Sequence, residues 1–194
     1  MTTRDAQAPA DEQFIGRWSP RAFNGEALSH AQVMTLIEAA RWAPSCFNSQ
    51  PWRFVYATKD SEHWPAMLSL LMDMNQAWAQ HAGALIAVVS RNTFQGNDAP
   101  APTHSFDTGA AWMSMALQAQ SMGLASHAMW GIEHNDIPTA LNLPDNMQIQ
   151  AMVAVGAVGN KADLPEPLQE REQPSSRKAL SELAFAGRMP DGVE

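Results

Sequence analysis

The chain has 194 residues, 45% hydrophobic and 16% charged, with a formal net charge of −8. These values fit one globular domain and exclude a disordered chain. No long basic run argues for nucleic acid, and no apolar run approaches the ~20 residues that span a bilayer.

A single cysteine, Cys46, rules out an internal disulfide and fits a reducing compartment, most simply the cytoplasm. The polar, acidic N-terminus lacks the basic and apolar regions of a signal peptide. Seven Trp and twelve Met suggest apolar surface that a second subunit could cover.

Residues 1–12 read as a flexible tail, and 13–194 as a single domain. A first helix is expected over 14–17. Leu28-Ser29-His30-Ala31-Gln32-Val33 is a helix start. There Ser29 caps, Gln32 occupies the reciprocal position and Leu28 staples onto Val33. Val33, Leu36, Ile37 and Ala40 share one face, and Pro44 stops the helix. Residues 52–57, aromatic and β-branched, read as a strand. A Met- and Leu-rich helix is expected over 65–80, and a buried strand over 85–89.

Residues 91–104 form a long loop, a kind often functional. The longest helix is expected over 106–122, apolar almost all round and ended by Gly123. A strand over 126–130 follows, then a short helix capped by Asp136 with Pro138 in its first turn. A further strand covers 149–158, and 163–174 reads as an extended arm. Strands and helices interleave without a glycine-rich strand–turn–helix element, so a doubly wound nucleotide fold is not supported.

Three clusters carry chemistry. Arg17, Ser19 and Arg21 alternate around Trp18 and Pro20. In extended backbone such side chains converge on one ligand, and guanidinium forks suit phosphate. The same residues also suit a solvated helix end with ordinary salt bridges. Pro44-Ser45-Cys46-Phe47-Asn48-Ser49-Gln50-Pro51 holds hydroxyl, thiol and amide groups between prolines. Amides match the pyrimidine edge of a flavin, but Pro, Ser and Asn also simply end helices. Ser175-Ser176-Arg177-Lys178 supplies the last basic positions and a possible helix cap, which favours an anion. Cys46 has no basic neighbour to activate it and reads as an inert small residue.

The six histidines lack metal spacing. His104-Ser105-Phe106-Asp107 holds the residue types of a hydrolytic triad, but adjacency does not give triad geometry.

Arg17-x-Ser19-x-Arg21-x-Phe23, followed by Ala40-Arg41-Trp42-Ala43-Pro44-Ser45-x-x-Asn48-x-Gln50-Pro51-Trp52-Arg53-Phe54, resembles the FMN-dependent nitroreductase family. Gly123-Leu124, Val155-Gly156 and Ser176-Arg177-Lys178 continue the likeness over 14–185. The resemblance implies an α+β fold with a mainly antiparallel central sheet flanked by helices. It also implies an intertwined homodimer with two FMN sites at the interface.

Carried over by that resemblance, Arg17, Ser19 and Arg177 grip the phosphate and ribityl chain, with Trp18 and Lys178 beside them. Arg21 lies near the ribityl or the O2 edge of the ring. Pro44, Ser45, Cys46 and Asn48 come from the other subunit. Gln50 contacts ring or ribityl, and Asn75 is a further flavin contact. The backbone of Trp130, Gly131 and Ile132 faces the reactive ring nitrogen. Two residues depart from the pattern: Cys46 replaces the usual Ser, and Trp130 is bulky, which narrows the pocket.

The activity implied is hydride transfer from NAD(P)H through FMN to a nitroaromatic, quinone or enal, in two steps at one place. The flavin carries the chemistry, so no catalytic side chain is expected. Phe47, Trp130 or Phe106 would stack on the acceptor. Alternatives are a narrower reductase of a small semialdehyde, a dehalogenase, a non-catalytic flavin-binding protein and a cofactor-free interaction module.

Overall fold

The computed structural model describes Arg4 and residues 6–192. Among them four strands, β1 (Trp52–Thr58), β2 (Ala84–Arg91), β3 (Ala125–Met129) and β4 (Met147–Gly156), form one antiparallel sheet in the order β1-β2-β4-β3. The helices are α1 (Glu12–Gly16), α2 (His30–Arg41), α3 (Trp64–Ser69), α4 (Asp73–Ala79), α5 (His104–Ser121), α6 (Ile137–Ala140) and α7 (Glu166–Gln169). This is the α+β architecture with a helix-flanked antiparallel sheet that the resemblance implies.

Alternation along β2 divides the core. Leu85, Ala87 and Val89 face a layer containing Trp64, Leu71, Trp78 and Ile137, from α3, the segment after it, α4 and α6. Ala84, Ile86 and Val88 face Leu36 of α2 and Met115 of α5. Both faces are covered, so β2 reads as an unbroken apolar run despite its antiparallel partners. A register shift falls between Val88 and Val89, where β2 meets β4.

α2 begins as expected. Ser29 Oγ accepts from the Gln32 N–H at 3.2 Å, and Gln32 Oε1 accepts from the Ser29 N–H at 2.9 Å. Leu28 and Val33 are both buried in the α2–α5 layer. α1 starts earlier than expected, because Asp11 Oδ1 caps it by accepting from the Gln13 N–H. Gly123 follows α5 at φ +72°, the left-handed turn that its lack of a Cβ permits. Pro138 lies in the first turn of α6, but the Asp136 side chain makes no capping bond.

Three further expectations fail. The helix expected over 65–80 is two helices. Between them Leu71 bridges Ile132, the Met72 N–H donates to the Gly131 carbonyl at 3.1 Å, and the Glu133 N–H donates to the Leu70 carbonyl at 2.9 Å. Tertiary backbone pairing interrupts a stretch that contains no helix breaker. Residues 163–174 are not simply extended, since α7 lies within them. No helix begins at Ser175 or Ser176. A short 3-10 turn at Leu180–Glu182 comes later, where Glu182 Oε1 accepts from the Ala179 N–H at 2.8 Å.

No helix among the described residues is long and apolar enough to cross a membrane.

Candidate functional site

At the end of α1 the chain turns extended, and alternate residues share a side, as the sequence spacing suggested. Arg17 Nη1 donates to Ser19 Oγ at 3.2 Å. Arg177 folds back on its own segment, its Nη1 donating to Ser175 Oγ at 3.0 Å and to the Ser176 carbonyl at 2.9 Å. Between these two segments lies Arg4, which sequence reasoning missed. Its Nη1 donates to the Ile15 and Arg17 carbonyls, both at 2.7 Å, and its Nε to the Ser175 carbonyl at 3.1 Å. A lone arginine in a polar segment has no local pattern that would reveal this.

The three guanidiniums repel one another. Burial, then the Arg4 and Arg177 charges, pulls Arg17 below its ordinary pKa; burial, then Arg177, does the same to Arg4. None of the three has a carboxylate within ion-pair distance among the described residues. In a chain with net charge −8, such a cluster is a place for an anion. Ser176, Arg177 and Lys178 line a hollow of about 450 Å³ with Arg4, Phe14 and Leu183. Lys178 is exposed and makes no polar contact with a described residue, and Trp18 is half-buried beside Arg17.

Arg21 stands apart electrostatically. Its Nη1 lies 3.8 Å from Glu172 Oε2, while Glu172 Oε1 accepts from the backbone N–H groups of Arg21 at 2.7 Å and Ala22 at 2.9 Å. Burial lowers the Arg21 pKa and Glu172 partly offsets it. Next to this pair, His127 Nδ1 donates to the Pro20 carbonyl at 2.9 Å, and its ring lies 4.8 Å from that of Trp78 on α4. Burial is the main reason its pKa is lowered, which favours the neutral ring. These contacts hold the 17–21 segment against β3 and α4.

α4 and the chain after β3 form the second cluster. Asn75 Nδ2 donates to the Gly131 carbonyl at 2.9 Å. A Cβ at Gly131 would lie 2.8 Å from that nitrogen, so a larger residue there would push the Asn75 amide aside. Trp130 is exposed, with its ring 4.3 Å from His134. The His134 Nε2 donates to the Trp130 carbonyl at 3.2 Å.

The third cluster is the turn after α2. Phe47 (φ 52°), Asn48 (φ 54°) and Gln50 (φ 46°) all adopt left-handed backbone without being glycine. Such conformations cost free energy and gather at functional sites. The Ser45 hydroxyl accepts from the Gln50 N–H at 3.0 Å, and Gln50 Nε2 donates to the Asn48 carbonyl at 3.0 Å. The Cys46 N–H donates to buried Asp107 Oδ2 at 3.1 Å, an oxygen that also accepts from the Thr103 hydroxyl at 3.1 Å. Phe47 projects into solvent, edge-on to Phe94 at 6.0 Å. A cleft of about 870 Å³ opens there, lined by Asn48, Gln50, Arg53 and Asn97 among others.

The fold therefore gathers Arg17, Ser19 and Arg177, and separately Asn75 with Gly131. It places Pro44, Ser45, Cys46, Asn48 and Gln50 elsewhere. Asp107, which holds the turn, is at the start of α5. Gln120, which approaches Gly16 of α1, is at its end. At 1.5 Å rise per residue those two positions are roughly 20 Å apart.

A family model for the nitroreductase family matches residues 15–73 and 65–157. The chain belongs to the nitroreductase family. It is similar to a crystal structure of an oxidoreductase containing FMN, with 46% identity, TM-score 0.93, and coverage of 98% of this chain and 99% of that one. A nitroreductase from Exiguobacterium sibiricum crystallised with FMN has the same fold, with 22% identity, TM-score 0.74 and coverage of 93% and 99%. An NADH dehydrogenase from Thermus thermophilus is 27% identical over 171 residues, 73% of this chain and 83% of that protein.

Proposed function

We propose that this nitroreductase-family chain is an NAD(P)H-dependent FMN oxidoreductase that works as a homodimer in the cytoplasm. The observation that carries the reading is the set of guanidiniums at Arg17 and Arg177, close together and without a carboxylate partner among the described residues. A phosphomonoester is the anion whose oxygens suit such forks. The FMN in the 46%-identical oxidoreductase supports the choice of flavin, and the Thermus relative supports a nicotinamide donor.

In this reading Arg17, Ser19 and Arg177 hold the phosphate, with Lys178 adding charge at the rim and Trp18 packing beside it. Asn75 and the Gly131 backbone meet the ring edge. Arg21, balanced by Glu172, fixes the backbone beside the ribityl chain. The Pro44, Ser45, Cys46 and Asn48 turn, with Gln50, stands at the far end of α5 and completes the site of a second copy. When bound, FMN supplies two-electron transfer between a nicotinamide and an electron-poor acceptor such as a nitroaromatic, quinone or enal. The residues of the chain bind, orient and exclude water. No described side chain needs to act as a covalent catalyst.

Exposed Trp130, tilted against His134, favours a flat acceptor and a narrow range. Steady-state oxidation of NADH and NADPH by FMN-loaded protein, with nitroaromatics, quinones, enals and small semialdehydes as acceptors, tests the activity. Turnover with at least one flat acceptor is expected. No consumption of either nucleotide with any acceptor would leave only a flavin-binding protein.

A further inference from the structure

Arg4 belongs to neither segment of the anion cluster, yet it holds both. Its Nη1 grips the backbone at Ile15 and Arg17, and its Nε grips the Ser175 carbonyl. That same carbonyl accepts from Arg177 Nη1 at 3.3 Å. Three carbonyl acceptors do not neutralise a guanidinium, and the Arg4 Nη2 has no acceptor among the described residues. The same is true of Nη2 on Arg17 and on Arg177. Three unspent donors of one charge, held by backbone and hydroxyl contacts at one end of the domain, call for a multiply charged oxyanion.

We infer that Arg4 is a phosphate-binding residue, which straps the N-terminal segment across the anionic end of the cofactor and joins Arg17 and Arg177 around one phosphomonoester. This rests on the FMN reading above. Arg4 then does two things: it supplies a third positive charge, and it fixes the separation of the two segments that carry the others. Burial and the Arg177 charge already disfavour its charge, and a bound dianion offsets both.

The test separates phosphate contact from a purely structural clamp. FMN and riboflavin, which differ only by the phosphate, are titrated into flavin-free wild-type protein, Arg4→Gln and Arg4→Lys, with far-UV circular dichroism to establish folding. Wild type should prefer FMN strongly. Arg4→Gln should shrink that preference about tenfold while leaving riboflavin affinity nearly unchanged, the size of one charge-assisted hydrogen bond. Arg4→Lys, which keeps the charge, should retain most of the preference.

Equal losses for both flavins, or an unchanged preference in Arg4→Gln, would overturn the role of Arg4 while leaving the cofactor assignment standing. If Arg4→Gln does not fold, an FMN affinity in Arg4→Lys no higher than its riboflavin affinity overturns it. Failure of wild type to take up FMN would overturn both.

Discussion

Arg177 spends one nitrogen on Ser175 and Ser176, and the rest of its fork has no acceptor among the described residues. Arg177→Ala should weaken FMN binding by ~1.5–3 kcal/mol, the range for a hydrogen bond to a charged group. Fluorescence titration with FMN checks this, and unchanged affinity removes Arg177 from the site. His127 carries a different prediction. Its folded pKa lies below the ordinary value, so the unfolded chain binds a proton first as pH falls. The contribution of His127 to stability is complete above about pH 6.5 and is lost on acidification below it. Thermal melts at neutral and mildly acidic pH should show a smaller acid loss in His127→Gln than in wild type. The partnership of Arg17 and Ser19 was readable from alternate spacing, whereas Arg4 and Glu172 were not. Their partners lie 171 and 151 positions away in sequence, and no local pattern encodes that.

The turn after α2 and the first turn of α5 behave as one element. Asp107 accepts from the Cys46 N–H and the Thr103 hydroxyl, and so braces backbone that is left-handed at Phe47 and Asn48. Asp107→Ala leaves the Cys46 N–H without its partner and should cost ~1–3 kcal/mol of stability. Asp107→Asn, which keeps an acceptor, should cost less; equal melting temperatures for wild type and Asp107→Ala would refute the bracing role. Elements with local signals were legible: the Ser29–Gln32 box, the apolar run of β2 and the Gly123 stop. The break between α3 and α4 was not, because backbone pairing with residues 131–133 makes it, and no proline or glycine marks it. The absence of a helix at Ser175 has a related cause, since Arg4 and Arg177 occupy its carbonyl and hydroxyl.

Across the whole molecule, several large apolar side chains face solvent in a single copy: Phe47 at 90%, Phe106 at 82%, Trp42 at 74% and Met74 at 71% exposed. Such residues are enriched where subunits meet. With the turn at one end of α5 and the guanidinium cluster at the other, the proposed function requires a second copy to complete each site. Light scattering should therefore give twice the chain mass of 21.2 kDa. A monomer that still binds FMN tightly would contradict the shared-site arrangement.

Arg17, Ser19, Arg177 and their neighbours are proposed to hold a flavin mononucleotide. Visible absorption of the purified protein, reconstituted with FMN where needed, before and after anaerobic addition of NAD(P)H, tests this most directly. One FMN per chain and loss of the flavin band on reduction are expected. Colourless protein that takes up no FMN would contradict it.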